Sequence, residues 1–159
     1  MMQKDLFLIR HAESSHPRGV DDYDRPLNER GFAEAESAGK RLVAYGTLPQ
    51  LIISSAAKRA FNTALIFSDQ LGIPGHQVQP ENMIYEANVT SLLNIVNHLP
   101  EEFNRVALFG HNPGISEFAG YLSDEYPDHI PTAGIIHLRF DGPWKAVGTG
   151  TGQIQWRSF

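Results

Sequence analysis

The 159-residue chain contains no cysteine, which excludes a disulfide framework and thiolate chemistry. It also lacks any long apolar run: each hydrophobic stretch is broken after a few residues by a charge or a proline. Neither a membrane span nor the apolar core of a secretory signal is therefore expected, and the chain reads as soluble, cytoplasmic and without a membrane partner. Basic residues are in the minority, 13 Lys and Arg against 18 Asp and Glu, for a formal net charge of -5. That balance argues against a general nucleic-acid surface, so any anionic ligand must be met by a local cluster of donors. No Gly-x4-Gly-Lys-Ser/Thr motif is present to cradle a nucleotide. With 42% hydrophobic residues, the chain is long enough for one sizeable core and too short to suggest two, which predicts a single domain over 1–159.

What is present is a recurring strand-then-helix pattern. Residues 5–10, DLFLIR, form an apolar run of strand length that leads into Arg10 and His11. Asn28 is placed to cap a helix over 29–45, with Phe32, Ala35, Ala38, Leu42 and Tyr45 at helical spacing and Gly46 as the stop. Residues 51–54, LIIS, repeat the strand signal, and a second helix places Ala60, Phe61, Ala64, Leu65 and Leu71 on one face before Gly72. A weaker strand over 78–85 precedes an amphipathic helix with Leu92, Leu93 and Val96 that ends before Pro100. Residues 105–110, RVALFG, read as a buried strand, and Asn112-Pro113 as an N-cap followed by proline in the first turn of a helix through Leu122. Residues 135–140 and 154–156 read as later, peripheral strands. This alternation predicts an α/β fold, a three-layer α/β/α sandwich around a mostly parallel sheet.

Polar clusters follow directly on three of these strands: Arg10-His11, Ser54 to Arg59, and Gly110-His111-Asn112. In open α/β sheets ligands bind in the crevice at the carboxyl ends of the strands, so residues 100 positions apart can converge there. Two arginines and two histidines in one crevice would suit a tetrahedral dianion, because guanidinium forks match phosphate oxygens. Helix N-termini beginning near Arg59 and after Asn112 would add N–H donors. The remaining charges carry simpler readings. Arg18, Arg25 and Arg30 read as solvated or salt-bridged residues of a polar loop, with a minority role for Arg18 or His16 in holding substrate. His76, His98, His129 and His137 show no His-Glu-x-x-His or other compact ligand spacing, so no metal site is expected.

The ordered set of motifs, LIRHAE with Arg10 and His11, RPLNERG from Arg25, SSAAKRAFNTA containing Arg59, IYE ending at Glu86, and FGHNP containing His111, resembles the histidine phosphatase, or phosphoglycerate-mutase-like, superfamily. The short length and the PTAG segment at 131–134 are most similar to its small SixA-type branch. The resemblance implies a phosphohistidine phosphatase with His11 as nucleophile, Arg10, Arg59 and His111 binding the phosphoryl group, and Glu86 at the position of the proton donor of larger members. The chain departs from the pattern at Ala12, where the family has glycine. If a left-handed backbone were needed there, the methyl group would cost roughly 1 kcal/mol. Residues 14–17 also lack a clean counterpart of the serine and asparagine that help hold phosphate in larger members.

The chemistry these residues suit is hydrolysis through a covalent phosphohistidine on His11. A neutral imidazole is a competent nucleophile near neutrality provided that a carbonyl or carboxylate holds its proton on the other nitrogen. Arg10, Arg59 and a protonated His111 would stabilise charge on the phosphoryl oxygens, with neither metal nor cofactor required. The expected substrate is phosphohistidine on a signalling or phosphotransfer protein. The alternatives are a small phosphate ester, or a non-catalytic module that docks phosphate.

Overall fold

The computed structural model describes residues 2–126 and 129–159. Its framework is a six-stranded sheet formed by β1 (Gln3–Arg10), β2 (Leu51–Ser54), β3 (Gln79–Pro80), β4 (Arg105–Gly110), β5 (Ile135–Asp141) and β6 (Gln153–Ser158), in spatial order β3-β2-β4-β1-β5-β6. The first four neighbours in that order run parallel, whereas β5 and β6 are antiparallel. β1 is buried on both faces, with alternate residues feeding separate cores. Leu6 and Leu8 join Leu92 and Val96 of helix α3 (Val89–Asn97) and Phe118 and Leu122 of α4 (Gly114–Ser123). Phe7 and Ile9 join Ala35, Ala38 and Leu42 of α1 (Glu29–Tyr45) and Ala64 and Phe67 of α2 (Lys58–Leu71). The three-layer α/β/α sandwich expected from the sequence is thus present.

Local chemistry accounts for most element boundaries. Asn28 accepts from the Gly31 amide at the start of α1, and Gly46 closes it in the left-handed conformation at φ 95°. Gly72 ends α2 in the same way at φ 73°. Three expectations fail. The segment 78–85 holds only the two-residue β3 and a 3-10 turn, Asn82–Ile84, because its polar residues and Pro80 give it little to bury. The β5 strand, expected at the periphery, lies beside β1, with Ile135, Ile136, His137 and Leu138 fully buried. Phe32 is 49% exposed, so the apolar face of α1 is narrower than its spacing suggested.

Candidate active site

Because β1, β2 and β4 are parallel neighbours, their carboxyl ends lie along one edge and bring the three polar clusters together. Backbone hydrogen bonds fix the meeting point. The His11 amide donates to Gly110 O at 3.1 Å, the Ser55 amide to Phe109 O at 3.0 Å, and the Arg10 amide to Gly134 O at 3.1 Å. Ala133, at φ 58°, directs its own amide at both Arg10 O and His11 O, 3.1 Å from each. Ala12 itself is fully buried and adopts no left-handed conformation, and its amide donates to Thr63 Oγ1 at 3.0 Å. The cost contemplated for a methyl group at this position therefore does not arise.

The result is a cavity of about 340 Å³ lined by Arg10, His11, Arg25, Arg59 and His111, with Glu13, Ser14, His16, Asn112 and Thr132 completing the wall. The rings of His11 and His111 lie 5.2 Å apart, centroid to centroid. His11 Nδ1 is 2.7 Å from Ala12 O. A carbonyl only accepts, so the ring proton sits on Nδ1 and Nε2 carries the free lone pair. Burial, reinforced by the nearby arginines, pushes His11 down to about 4, so the ring is neutral at pH 7. His111 is pushed further, to about 3, by burial and then by His11 and Arg59. The protonated His111 expected from the sequence is thus not what this pocket favours: burial first, and then the nearby arginines, keep both imidazoles neutral.

Four buried side-chain nitrogens have no hydrogen-bond partner among the described residues: Arg10 Nε, Arg25 Nε, Arg59 Nε and His111 Nδ1. All four belong to the residues that line this cavity. Buried donors are rarely left unpaired, and a ligand with several acceptor oxygens would satisfy them. Several guanidinium nitrogens are also engaged by the protein itself. Asp22 takes Arg59 Nη1 on its backbone oxygen at 2.6 Å and Nη2 on Oδ2 at 3.1 Å, and Oδ1 forms an ion pair with Arg25 Nε at 3.1 Å outside hydrogen-bond alignment. The Tyr85 hydroxyl donates to the same Asp22 Oδ2 at 2.6 Å, and this bond, with Arg59 and Arg25 nearby, holds Asp22 down at about 2. Arg10 Nη1 reaches Ile130 O and His129 Nε2, each at 3.2 Å.

The family model described as histidine phosphatase superfamily (branch 1) matches residues 6–105. The chain belongs to the histidine phosphatase superfamily. The uncharacterized protein Rv1276c of Mycobacterium tuberculosis is 30% identical over 152 residues, covering 89% of this chain and 93% of that protein. A SixA crystal structure from Agrobacterium tumefaciens superposes with a TM-score of 0.82 at 26% identity, covering 98% of this chain and 97% of that one. A structure of the protein histidine phosphatase SixA complexed with tungstate gives a TM-score of 0.83 at 20% identity over 96% of this chain and 95% of the other. Within the superfamily the likeness is thus to the short SixA-type branch.

Of the residues singled out in the sequence of this superfamily member, Arg10, His11, Arg59 and His111 line one cavity. Glu86 does not line it. It borders an adjoining cavity of about 400 Å³ that shares Arg59, His111 and Asn112 with the first and also contains Asp22, Tyr85 and Glu117. Arg25, expected to be a solvated or salt-bridged charge of a polar loop, is salt-bridged to Asp22, but its side chain is only 12% exposed and it lines the pocket, where it also meets His16. Asn112 does not cap α4 with its side chain. Its amide instead donates to Ile130 O at 2.7 Å and its oxygen accepts from Ser116 Oγ at 2.6 Å, tying the 129–131 segment to the pocket wall. Asp22, Ser55 and Tyr85 were not foreseen. Asp22 lies in a loop whose polar composition looks ordinary, whereas Ser55 and Tyr85 fall inside the same short motifs as Arg59 and Glu86, which was the available signal.

Proposed function

We propose that this chain is a phosphatase that forms a covalent phosphohistidine on His11 and acts as one domain over 1–159, with phosphohistidine on a protein as its substrate. The observation that carries the reading is the His11 ring, pinned by Nδ1–H to Ala12 O so that its bare Nε2 stands among guanidiniums with unpaired Nε–H groups. In this mechanism Nε2 attacks phosphorus and the Nε2–P bond forms as the bond to the leaving group breaks. The positive charge that develops on the His11 ring is shared with the Ala12 carbonyl. Arg10, Arg25 and Arg59 meet the three equatorial oxygens, where charge accumulates in the transition state, and His111 adds a further donor. Water then attacks the phosphohistidine, breaking the Nε2–P bond and releasing inorganic phosphate. Arginines rather than a metal ion supply the positive charge.

An imidazole leaving group departs with less protonation than an alkoxide, which suits a site where Glu86 stands on the adjoining cavity rather than among the phosphate ligands. The likeness to SixA proteins supports the same substrate class. The test is turnover on a phosphohistidine protein and on a panel of small phosphate esters, in chelator, with His11→Ala as the blank. The expected result is preference for the phosphohistidine protein, with an acid-labile, alkali-stable phosphoenzyme that is absent from His11→Ala. Faster turnover of a sugar or nucleotide phosphate would instead assign a small-ester phosphatase. Phosphate binding with neither intermediate nor turnover would assign a docking module.

A further inference from the structure

We propose that Ser55 is a positioning residue that sets the tautomer of His111, so that His111 meets the phosphoryl group as an Nδ1–H donor. The proposal rests on the phosphatase reading and deepens it, because it assigns how the second imidazole of the same pocket is presented. Ser55 is fully buried at the end of β2 and anchored through its amide to Phe109 O of β4 at 3.0 Å. Its Oγ lies 2.8 Å from His111 Nε2 and accepts from the Ala57 amide at 3.2 Å. The other ring nitrogen, His111 Nδ1, is buried without a partner among the described residues. Since Nε2 is engaged by Ser55, Nδ1 is the ring atom left for a ligand.

Two arrangements of the protons are conceivable, and their costs differ. If Nε2 carried the proton and donated to Ser55, two groups would be left buried and unpaired: the Ser55 hydroxyl hydrogen, which has no other acceptor among the described residues, and the Nδ1 lone pair. Each such group costs about 1–3 kcal/mol, and the lone pair would repel an incoming oxyanion. If Ser55 donates to Nε2, its hydroxyl is satisfied on both sides by the Ala57 amide and the ring. Only an Nδ1–H is then unpaired, and an N–H is what a phosphoryl oxygen requires.

The two imidazoles are therefore presented in opposite senses. Ala12 O holds the His11 proton on Nδ1 and bares Nε2 for phosphorus. Ser55 occupies His111 Nε2 and leaves Nδ1–H for oxygen. Both rings do this while neutral, so the donor function of His111 does not require a proton from solvent.

The experiment uses the full chain labelled with 15N-histidine, two-bond 1H–15N correlations of the imidazole nitrogens, and inorganic phosphate as the probe. In wild type, His111 is expected to show a protonated Nδ1 and a bare Nε2, both free and with phosphate. In Ser55→Ala the Nε2–H tautomer is expected to appear and phosphate affinity to fall about tenfold, the loss of one hydrogen bond to a charged group. Ser55→Thr, which keeps the hydroxyl, is expected to retain the wild-type tautomer. A protonated Nε2 in wild-type His111 would overturn the proposal, as would a Ser55→Ala protein that keeps both the Nδ1–H tautomer and full phosphate affinity. The wild-type spectrum decides the tautomer even if Ser55→Ala does not fold. Failure of phosphate to perturb either ring would count against the phosphatase reading, while the tautomer of the free protein would still decide the role of Ser55.

Discussion

At the scale of single residues, the pocket depends on counter-charge as much as on charge. Three guanidiniums around two imidazoles would repel one another, and Asp22 relieves this by engaging Arg25 and Arg59 while leaving Nε of Arg59 unpaired. That is why Arg25 was illegible in the sequence. An arginine in a polar loop looks solvated until its partners are known, whereas Arg10, His11, Arg59 and His111 announced themselves by following predicted strands and the start of a helix. Glu86, on the adjoining cavity, stands out by its backbone. It holds φ 58°, a conformation that costs a non-glycine residue roughly 1 kcal/mol, and such strain is characteristic of functional loops. Its carboxylate borders the cavity where a leaving group would emerge. If it protonates poor leaving groups, Glu86→Gln should lower kcat on an alkyl phosphate about 100-fold, while turnover of an aryl phosphate with an acidic phenol should change little. Equal losses on both substrates, measured in parallel, would remove Glu86 from the chemistry.

At the scale of elements, the boundaries that were legible were those written in local chemistry. The α1 helix runs from its Asn28 cap to the Gly46 stop as read, and β4 spans the residues its apolar run marked out. By contrast, the short β3 and the burial of β5 depend on which strands become neighbours, a long-range property that hydrophobic periodicity does not encode. The RPLNERG stretch also has a tertiary purpose. Asn28 donates from its side chain to Glu13 Oε1 at 3.1 Å and from its amide to Glu13 O at 3.2 Å. Gly31 packs so closely on that carbonyl that a Cβ would overlap the oxygen. The first turn of α1 thereby clamps the strand-to-loop junction that carries His11. Gly31→Ala is expected to destabilise the chain by about 2–3 kcal/mol through overpacking, and to depress kcat/KM in the folded fraction because the loop must shift. Urea unfolding, with activity normalised to folded protein, checks both; a neutral effect on each would mean the junction is loose.

At the scale of the whole molecule, the same pocket should make stability depend on pH and on anions. His11 and His111 have folded values of about 4 and about 3 against an ordinary 6.5, so below 6.5 the unfolded chain binds protons that the folded chain refuses. Their contribution is complete above pH 6.5 and is lost as pH falls toward 4, a decrease on the order of 2–3 kcal/mol between pH 6.5 and 5 for the pair. Asp22, held down at about 2 from an ordinary 3.8, acts in a separate and lower window. Urea midpoints measured at pH 7, 6 and 5 should therefore fall steadily, and His11→Ala should flatten the slope by about one group's share. Inorganic phosphate should oppose the loss, since an anion pairs with the crowded cationic groups and stabilises only the folded state, by about 2.7 kcal/mol at 100 times its Kd. Arg59→Ala should abolish most of that phosphate effect. If the midpoints are flat from pH 7 to 5, or if phosphate stabilises Arg59→Ala as well as wild type, the pocket is not the source of the coupling, because only groups that face the same anion can link acid lability to phosphate protection.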